Sequence, residues 1–181
     1  MNGWLDERAR EVRESIAAFR KLGSELSYLQ IGWRPPDGGW SIGQVTEHLI
    51  LSDTAYLALV PRLLARAPRR DRDWKPTVMG KLVTRAVEPQ APRRIKTSKA
   101  FSPGPEPRAE VIDEYIKVRE GVLGLIDQAR GYDLNSIRLT SPFMKLIRYN
   151  LGDAFMILTR HTQRHLQQIE RVRAHPDFPK S

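Results

Sequence analysis

The sequence predicts an all-α protein, a four-helix bundle with a long crossover between its second and third helices. Apolar residues recur at steps of three and four over four long stretches, which is the period of an amphipathic helix. No stretch shows the alternation of a β-strand above the noise, and we find no internal repeat. Four amphipathic helices of about 22–28 residues can bury their apolar faces against one another as a bundle.

The first helix is predicted over about residues 2–30, and the Gly- and Pro-rich residues 32–39 end it in a short loop. Because the loop is short, we expect the first two helices to be antiparallel neighbours. The second helix begins at Ser41, because Ser41 and Gln44 have the spacing of a capping box. Pro61 is expected to kink this helix or end it early.

Residues 61–108 form a basic, proline-rich crossover, with a short helix predicted at residues 79–87. Residues 62–108 contain 13 Lys or Arg and 4 Asp or Glu, so they account for the whole net charge of +9. A nucleic-acid-binding hypothesis rests on this segment alone, and it ranks last because the segment lacks regularly spaced aromatic residues. Six basic residues of the segment could attract an acidic substrate, although a solvated loop is the commoner explanation. These residues are Arg69, Arg70, Arg72, Arg93, Arg94 and Lys96.

The third helix is predicted at about residues 107–130, with Pro107 in its first turn. A second connection covers residues 131–149. The fourth helix begins near Asn150, an expected N-cap with Asp153 in the first turn, and ends before Pro176.

Composition limits the class of protein. The 181 residues are expected to form a single domain, residues 1–181, with a substantial core. No apolar run approaches the roughly 18–20 residues that span a bilayer, and the first residues do not resemble a signal peptide, so we expect a cytoplasmic protein with no membrane association. The absence of cysteine excludes disulfides, thiolate ligands and a Cys nucleophile.

His161 and His165 are the most informative residues. They lie one helical turn apart on the apolar stripe of the fourth helix, at positions where a Leu is expected. Two buried histidines, each satisfied by a hydrogen bond, would explain the spacing equally well. A shared divalent cation would also satisfy both imidazoles, whose neighbours are mostly apolar.

His48 supports the metal hypothesis, because it borders the buried stripe of the second helix and adds a third nitrogen donor. Three protein ligands with open positions are typical of catalytic metal sites. His175 is expected to be a solvated residue near the end of the chain, and Glu47 is expected to face solvent. Gln44 and Gln168 could support the ligands from behind, and Trp33, Trp40 and Trp74 could line the mouth of a pocket or cover a core end.

Two short motifs resemble the DinB-like superfamily. Residues 40–49, WSIGQVTEHL, are similar to its first signature, W-S-apolar-x-x-apolar-x-x-H-apolar. His161, His165, Gln168 and Ile169 are similar to its second signature, H-x-x-x-H-x-x-Q-apolar, and Arg164 also fits. The order of the motifs and the four predicted helices extend the resemblance over nearly the whole chain.

The resemblance implies a bundle in which His48, His161 and His165 hold a divalent metal ion, nickel or zinc or else iron. It also implies a homodimer and a small-molecule substrate. Described activities in the superfamily include metal-dependent hydrolysis and transfer of low-molecular-weight thiols. A non-catalytic, stress-associated protein with a structural metal is the alternative that the sequence leaves open.

Overall fold

The computed structural model describes residues 3–91 and 97–180, and these are mostly helical. The all-α prediction is therefore confirmed. The elements in chain order are α1 (Gly3–Glu25), α2 (Tyr28–Gly32), α3 (Ile42–Leu64), α4 (Val78–Val87), a 3₁₀ turn (Lys99–Phe101), α5 (Val111–Gln128), β1 (Arg138–Thr140), β2 (Arg148–Asn150) and α6 (Leu151–Arg173). None of the helices in residues 3–91 and 97–180 is long and apolar enough to cross a membrane.

Each of the four long helices, α1, α3, α5 and α6, packs against two of the others. Helix α5 lies along both α1 and α3, while α6 contacts α3 and α1, and α4 packs on the outside of α6. Two apolar clusters fill the interior. The first cluster contains residues from the N-terminal parts of α1 and α6 and the C-terminal parts of α3 and α5. The second contains residues from the C-terminal parts of α1 and α6 and the N-terminal parts of α3 and α5. Helices α1 and α6 therefore run one way, and α3 and α5 run the other way. The prediction that the first two long helices are antiparallel is confirmed, but the prediction that they are neighbours is wrong, because α1 and α3 each pack on α5 and α6 rather than on each other.

The parallel course of α3 and α5 explains the long crossover. Helix α3 has 23 residues and is about 35 Å long. A chain that leaves its end and enters a parallel neighbour must travel back over that length. The basic, proline-rich crossover makes this return, and its described residues include α4 and the 3₁₀ turn. Arg93, Arg94 and Lys96 lie outside the described residues.

A polar layer separates the two apolar clusters. At its centre Arg119 Nη1 on α5 donates to Asp53 Oδ2 on α3 at 3.0 Å, and Arg119 Nε donates to Ser15 Oγ on α1 at 3.1 Å. Both Arg119 and Asp53 are 0% exposed. The hydroxyls of Tyr115 on α5 and Thr162 on α6 lie 3.0 Å apart, so this layer joins all four long helices.

The helix starts follow the local sequence. Ser41 Oγ accepts from the Gln44 amide at 3.1 Å, and Gln44 Oε1 accepts from the Ser41 amide at 3.2 Å, which confirms the predicted capping box. Asn150 forms the same reciprocal pair with Asp153 and confirms the predicted start of the last helix.

Several predicted boundaries are wrong. The first helix ends at Glu25, because Ser27 caps a separate helix, α2, through its own capping box with Gln30. Helix α3 continues three residues past Pro61, to Leu64, so Pro61 does not end it early, while the alternative expectation of a kink at Pro61 stays a prediction. Helix α5 begins at Val111, so Pro107 precedes it.

The chain also has a small antiparallel sheet that the sequence does not predict. Strands β1 and β2 pair from Arg138 with Asn150 to Thr140 with Arg148. Each strand has only three residues, too few to show a period of two. The hairpin carries the loop of residues 141–147, in which the Phe143 ring lies 5.9 Å from the Tyr56 ring of α3.

Candidate metal centre

The structure brings the three predicted histidines together. His48 lies on α3, two turns after its cap, and His161 and His165 lie one turn apart on α6. The Nε2 atoms of His48 and His161 are 3.3 Å apart, and those of His161 and His165 are 3.0 Å apart. One ring nitrogen from each residue lies within 4.8 Å of the others. Three imidazole nitrogens from two antiparallel helices therefore face one point.

The outer nitrogens of two of these rings fix their tautomers. His48 Nδ1 lies 2.7 Å from the Phe101 carbonyl oxygen, which can only accept, so this nitrogen carries the hydrogen. His165 Nδ1 likewise lies 2.9 Å from Gln168 Oε1. With both hydrogens on Nδ1, the Nε2 atoms of His48 and His165 present lone pairs to the centre. Oriented histidines with a second partner behind the ring are typical of metal ligands.

The environment keeps all three imidazoles neutral. Burial lowers the pKa of His48, although its hydrogen bond to Phe101 works in the opposite direction. Burial lowers the pKa of His161 well below its usual value, and the neighbouring His165 and His48 lower it further. Burial, followed by the charge of His48, lowers the pKa of His165 to about 3. Neutral imidazole is the form that binds a metal.

The distances and the protonation states both fit a divalent cation. Two Zn–N bonds of about 2.0–2.1 Å at a tetrahedral angle place the two nitrogens roughly 3.3 Å apart. The observed separations of 3.0 and 3.3 Å are close to this value. His161 Nε2 faces the lone pairs of both His48 Nε2 and His165 Nε2. If His161 carries its hydrogen on Nε2, it can donate that hydrogen to only one of these two nitrogens. The lone pair of the other nitrogen then has no partner among the three rings. A cation would satisfy all three nitrogens at once.

The crossover is fastened to α3 around His48. Gln44 Nε2 donates to the carbonyl oxygens of Gly104 and Pro105 at 2.9 and 3.0 Å, in addition to its capping role. Glu47 Oε2 accepts from the Gly104 amide at 3.0 Å, and its side chain is only 16% exposed. The expectation that Glu47 faces solvent is therefore wrong, because the returning crossover covers it.

The crossover is also fastened to α6 beside His165. Arg164 Nη1 donates to the carbonyl oxygens of Glu88 and Ala91 at 2.8 and 3.2 Å, at the end of α4. Arg164 therefore points toward backbone acceptors that follow α4.

Three aromatic side chains flank the histidines, and we call them the aromatic collar: Trp40, Phe101 and Phe143. The Trp40 ring lies 5.2 Å from the His48 ring, and the Phe143 ring lies 6.4 Å from the His161 ring. The Phe101 and Phe143 rings pack against each other with their centroids 4.5 Å apart and their planes tilted by 56°. The sequence indicates only Trp40, because Phe101 and Phe143 lie in connections with no periodic pattern.

The other tryptophans and the last histidine lie elsewhere. Trp33 packs against His175 at 5.3 Å and against Phe178 at 5.5 Å, so His175 is half-buried rather than fully solvated. Trp74 stacks on Trp4 at 4.3 Å and donates to Asn150 Oδ1 at 3.0 Å, so it covers a core end.

Two basic residues near the start of the crossover, Arg69 and Arg72, have local partners. Arg69 lies 4.9 Å over the ring of Tyr132, and Arg72 Nη1 lies 3.9 Å from Asp133 Oδ2. Arg70 is exposed. These contacts fit the interpretation of a solvated, locally tethered basic segment.

Comparison with known proteins gives one family. The family model of the DinB superfamily matches residues 11–169, which contain all three histidines and all four long helices except the ends of the first and last. No curated protein and no solved structure matches the chain.

Proposed function

Because the chain belongs to the DinB superfamily, we propose that it is a metal-dependent enzyme of the four-helix-bundle type, with His48, His161 and His165 as the ligands of one divalent cation. The observation that carries this proposal is the convergence of three neutral Nε2 atoms at 3.0 and 3.3 Å. Nickel and zinc suit such an all-nitrogen set, and iron also accepts imidazole. A homodimer and a cytoplasmic location remain expectations from the sequence.

The reaction class that fits this site best is transfer of a low-molecular-weight thiol to an electrophilic acceptor. A divalent cation bound at the three nitrogens would supply Lewis acidity that lowers the pKa of a thiol or of water. A thiol ordinarily has a pKa of about 8.5, so it needs far less activation at neutral pH than water does. The chain has no cysteine, so the thiol must come from a small molecule.

The surroundings of the histidines also favour thiol transfer over hydrolysis. The chain's own residues hold the rings in place, with Phe101 and Gln168 behind His48 and His165. The carboxylate next in sequence to a ligand, Glu47, accepts from the Gly104 amide at 3.0 Å and lies 3.7 Å from Arg108 Nε, so both of its oxygens are engaged by the crossover. Hydrolysis is the second candidate, because metal activation can bring the pKa of water to about 7 without a base. A structural metal without turnover is the third.

Metal binding is the first test. We expect the purified, metal-replete chain to bind one equivalent of zinc or nickel, measured by elemental analysis and by competition with a chelator. His165→Ala should weaken binding by at least about 100-fold, because one of three ligands is lost. His175→Ala is the matched control and should bind as the unchanged chain does. A chain that binds no stoichiometric metal, or a His175→Ala variant that is equally defective, would overturn the assignment.

Turnover is the second test. Thiol consumption with an electrophilic acceptor should disappear on chelation and return when the metal is added back. Ester or amide hydrolysis with the same metal dependence, in the absence of thiol, would favour the hydrolase instead. Chelation that lowers the melting temperature while no turnover is found with either class would favour the structural metal.

A further inference from the structure

The aromatic collar of Trp40, Phe101 and Phe143 is placed where a substrate would approach the histidines. His48 and His165 are 6% and 8% exposed, whereas His161 is partly exposed, so His161 is the member of the cluster with the most surface open to solvent. Phe143 is the collar ring nearest to His161, at 6.4 Å. All three collar rings are half-buried, so each retains surface that a ligand could cover.

The loop that carries Phe143 is held in a compact turn. Ser141 Oγ accepts from the amides of Phe143 and Met144 at 3.2 and 3.3 Å. The Ser141 amide donates to the Ile147 carbonyl at 2.8 Å, and the Ile147 amide donates to the Met144 carbonyl at 2.9 Å. These bonds fix the backbone that carries the Phe143 ring, and a preorganised loop binds a ligand with a smaller entropic cost.

The same loop continues the apolar surface outward. Met144 is 40% exposed and Leu146 is 98% exposed. Large apolar side chains that are left in water beside a cluster of potential ligands often mark a binding surface.

The charged residues next to the ligands in sequence are engaged away from the centre. Glu47 accepts from the Gly104 amide, and Arg164 donates to the carbonyls of Glu88 and Ala91. Arg160 donates to Glu11 and Gln163. On the side of the collar the histidines face aromatic rings, whose negative faces favour an uncharged ligand body over an anionic one.

We propose that the aromatic collar binds the aryl or alkyl part of the substrate, so that the enzyme accepts an apolar, aryl- or alkyl-bearing thiol in preference to a small polar or anionic thiol. This inference rests on the proposed function, since the thiol head must reach the metal site. It assigns substrate selection to Phe143 and Trp40, which hold no metal and act by contact with the ligand body.

Calorimetric titration of the zinc-loaded protein tests this directly. The probes are 2-phenylethanethiol, 2-mercaptoethanol and 2-mercaptoethanesulfonate, which share a two-carbon thiol head and differ in the attached group. We expect the phenyl compound to bind about tenfold more tightly than 2-mercaptoethanol, the gain from burying roughly 60 Å² of apolar surface. Phe143→Ala should reduce that ratio toward one, whereas Phe143→Leu, which keeps an apolar side chain, should retain part of it.

Phe178→Ala is the matched control, because Phe178 is also a half-buried ring but packs on Trp33. It should leave the ratio unchanged. Zinc stoichiometry and the melting temperature are measured for each variant, so that loss of the site or of the fold is recognised separately. Zinc binding with equal affinity for the three thiols, or tighter binding of the sulfonate, would overturn the collar proposal alone. Failure of the unchanged chain to bind zinc would overturn the proposed function and the collar proposal with it.

Discussion

Replacement of Asp53 by Ala would leave Arg119 as a buried charge without its partner. Both side chains are 0% exposed, and their ion pair is 3.0 Å long. Removal of one partner from a buried pair costs about 3–5 kcal/mol, since the remaining charge loses its compensation in a medium of low polarity. At about 2–4 °C for each kcal/mol in a chain of this size, the melting temperature should fall by about 6–20 °C.

Urea unfolding at neutral pH measures this free energy by linear extrapolation. The matched control is Glu120→Ala, which breaks the Arg20–Glu120 pair of nearly equal length, 2.9 Å, on the surface. Those side chains are 64% and 51% exposed, so we expect a loss below about 1 kcal/mol. A loss below about 1 kcal/mol for Asp53→Ala as well would refute the argument that burial of the charge sets the magnitude.

A double variant separates charge from packing. Asp53→Leu combined with Arg119→Met removes both charges and keeps apolar volume, and such replacements are often neutral or stabilising. In the described part of the chain, Arg119 Nη2 and Asp53 Oδ1 are buried with no hydrogen-bond partner, so the native pair is not fully satisfied. The double variant should recover most of the stability lost in Asp53→Ala. A double variant as unstable as the single one would show that lost packing is the cause.

Two further predictions concern the histidines. Because burial and the charge of His48 lower the pKa of His165 from 6.5 to about 3, its contribution to stability is present above about pH 6.5 and is lost as the pH falls toward 3. The melting temperature of the metal-free protein should therefore fall over this window, and less steeply in His165→Gln; a profile that is the same in both proteins would contradict the assignment. Gln168→Ala removes the acceptor behind His165 and should weaken zinc binding by about 10–100-fold in a chelator competition, whereas Gln168→Glu keeps an acceptor. Equal affinity in the Ala variant would show that Gln168 serves only packing.

The fold could be predicted where the signal is local. The capping residues Ser41 and Asn150 and the apolar stripes placed the starts of two long helices and the all-α class. The break at Ser27 and the short β1–β2 hairpin were missed, because a capping box inside a continuous apolar stripe and two three-residue strands give little periodic signal.

The spacing of residues along the chain already indicates which side chains can meet. Helical spacing placed His161 and His165 on one face, and the two motifs paired them with His48 in the superfamily to which the chain belongs. The packing of the helices is what places His161 Nε2 3.3 Å from His48 Nε2 and 3.0 Å from His165 Nε2, orients two of the rings through Phe101 and Gln168, and sets Phe143 beside the third. Spacing along one helix is fixed by its 3.6-residue turn, but contacts between a helix and a returning crossover depend on how the four helices pack.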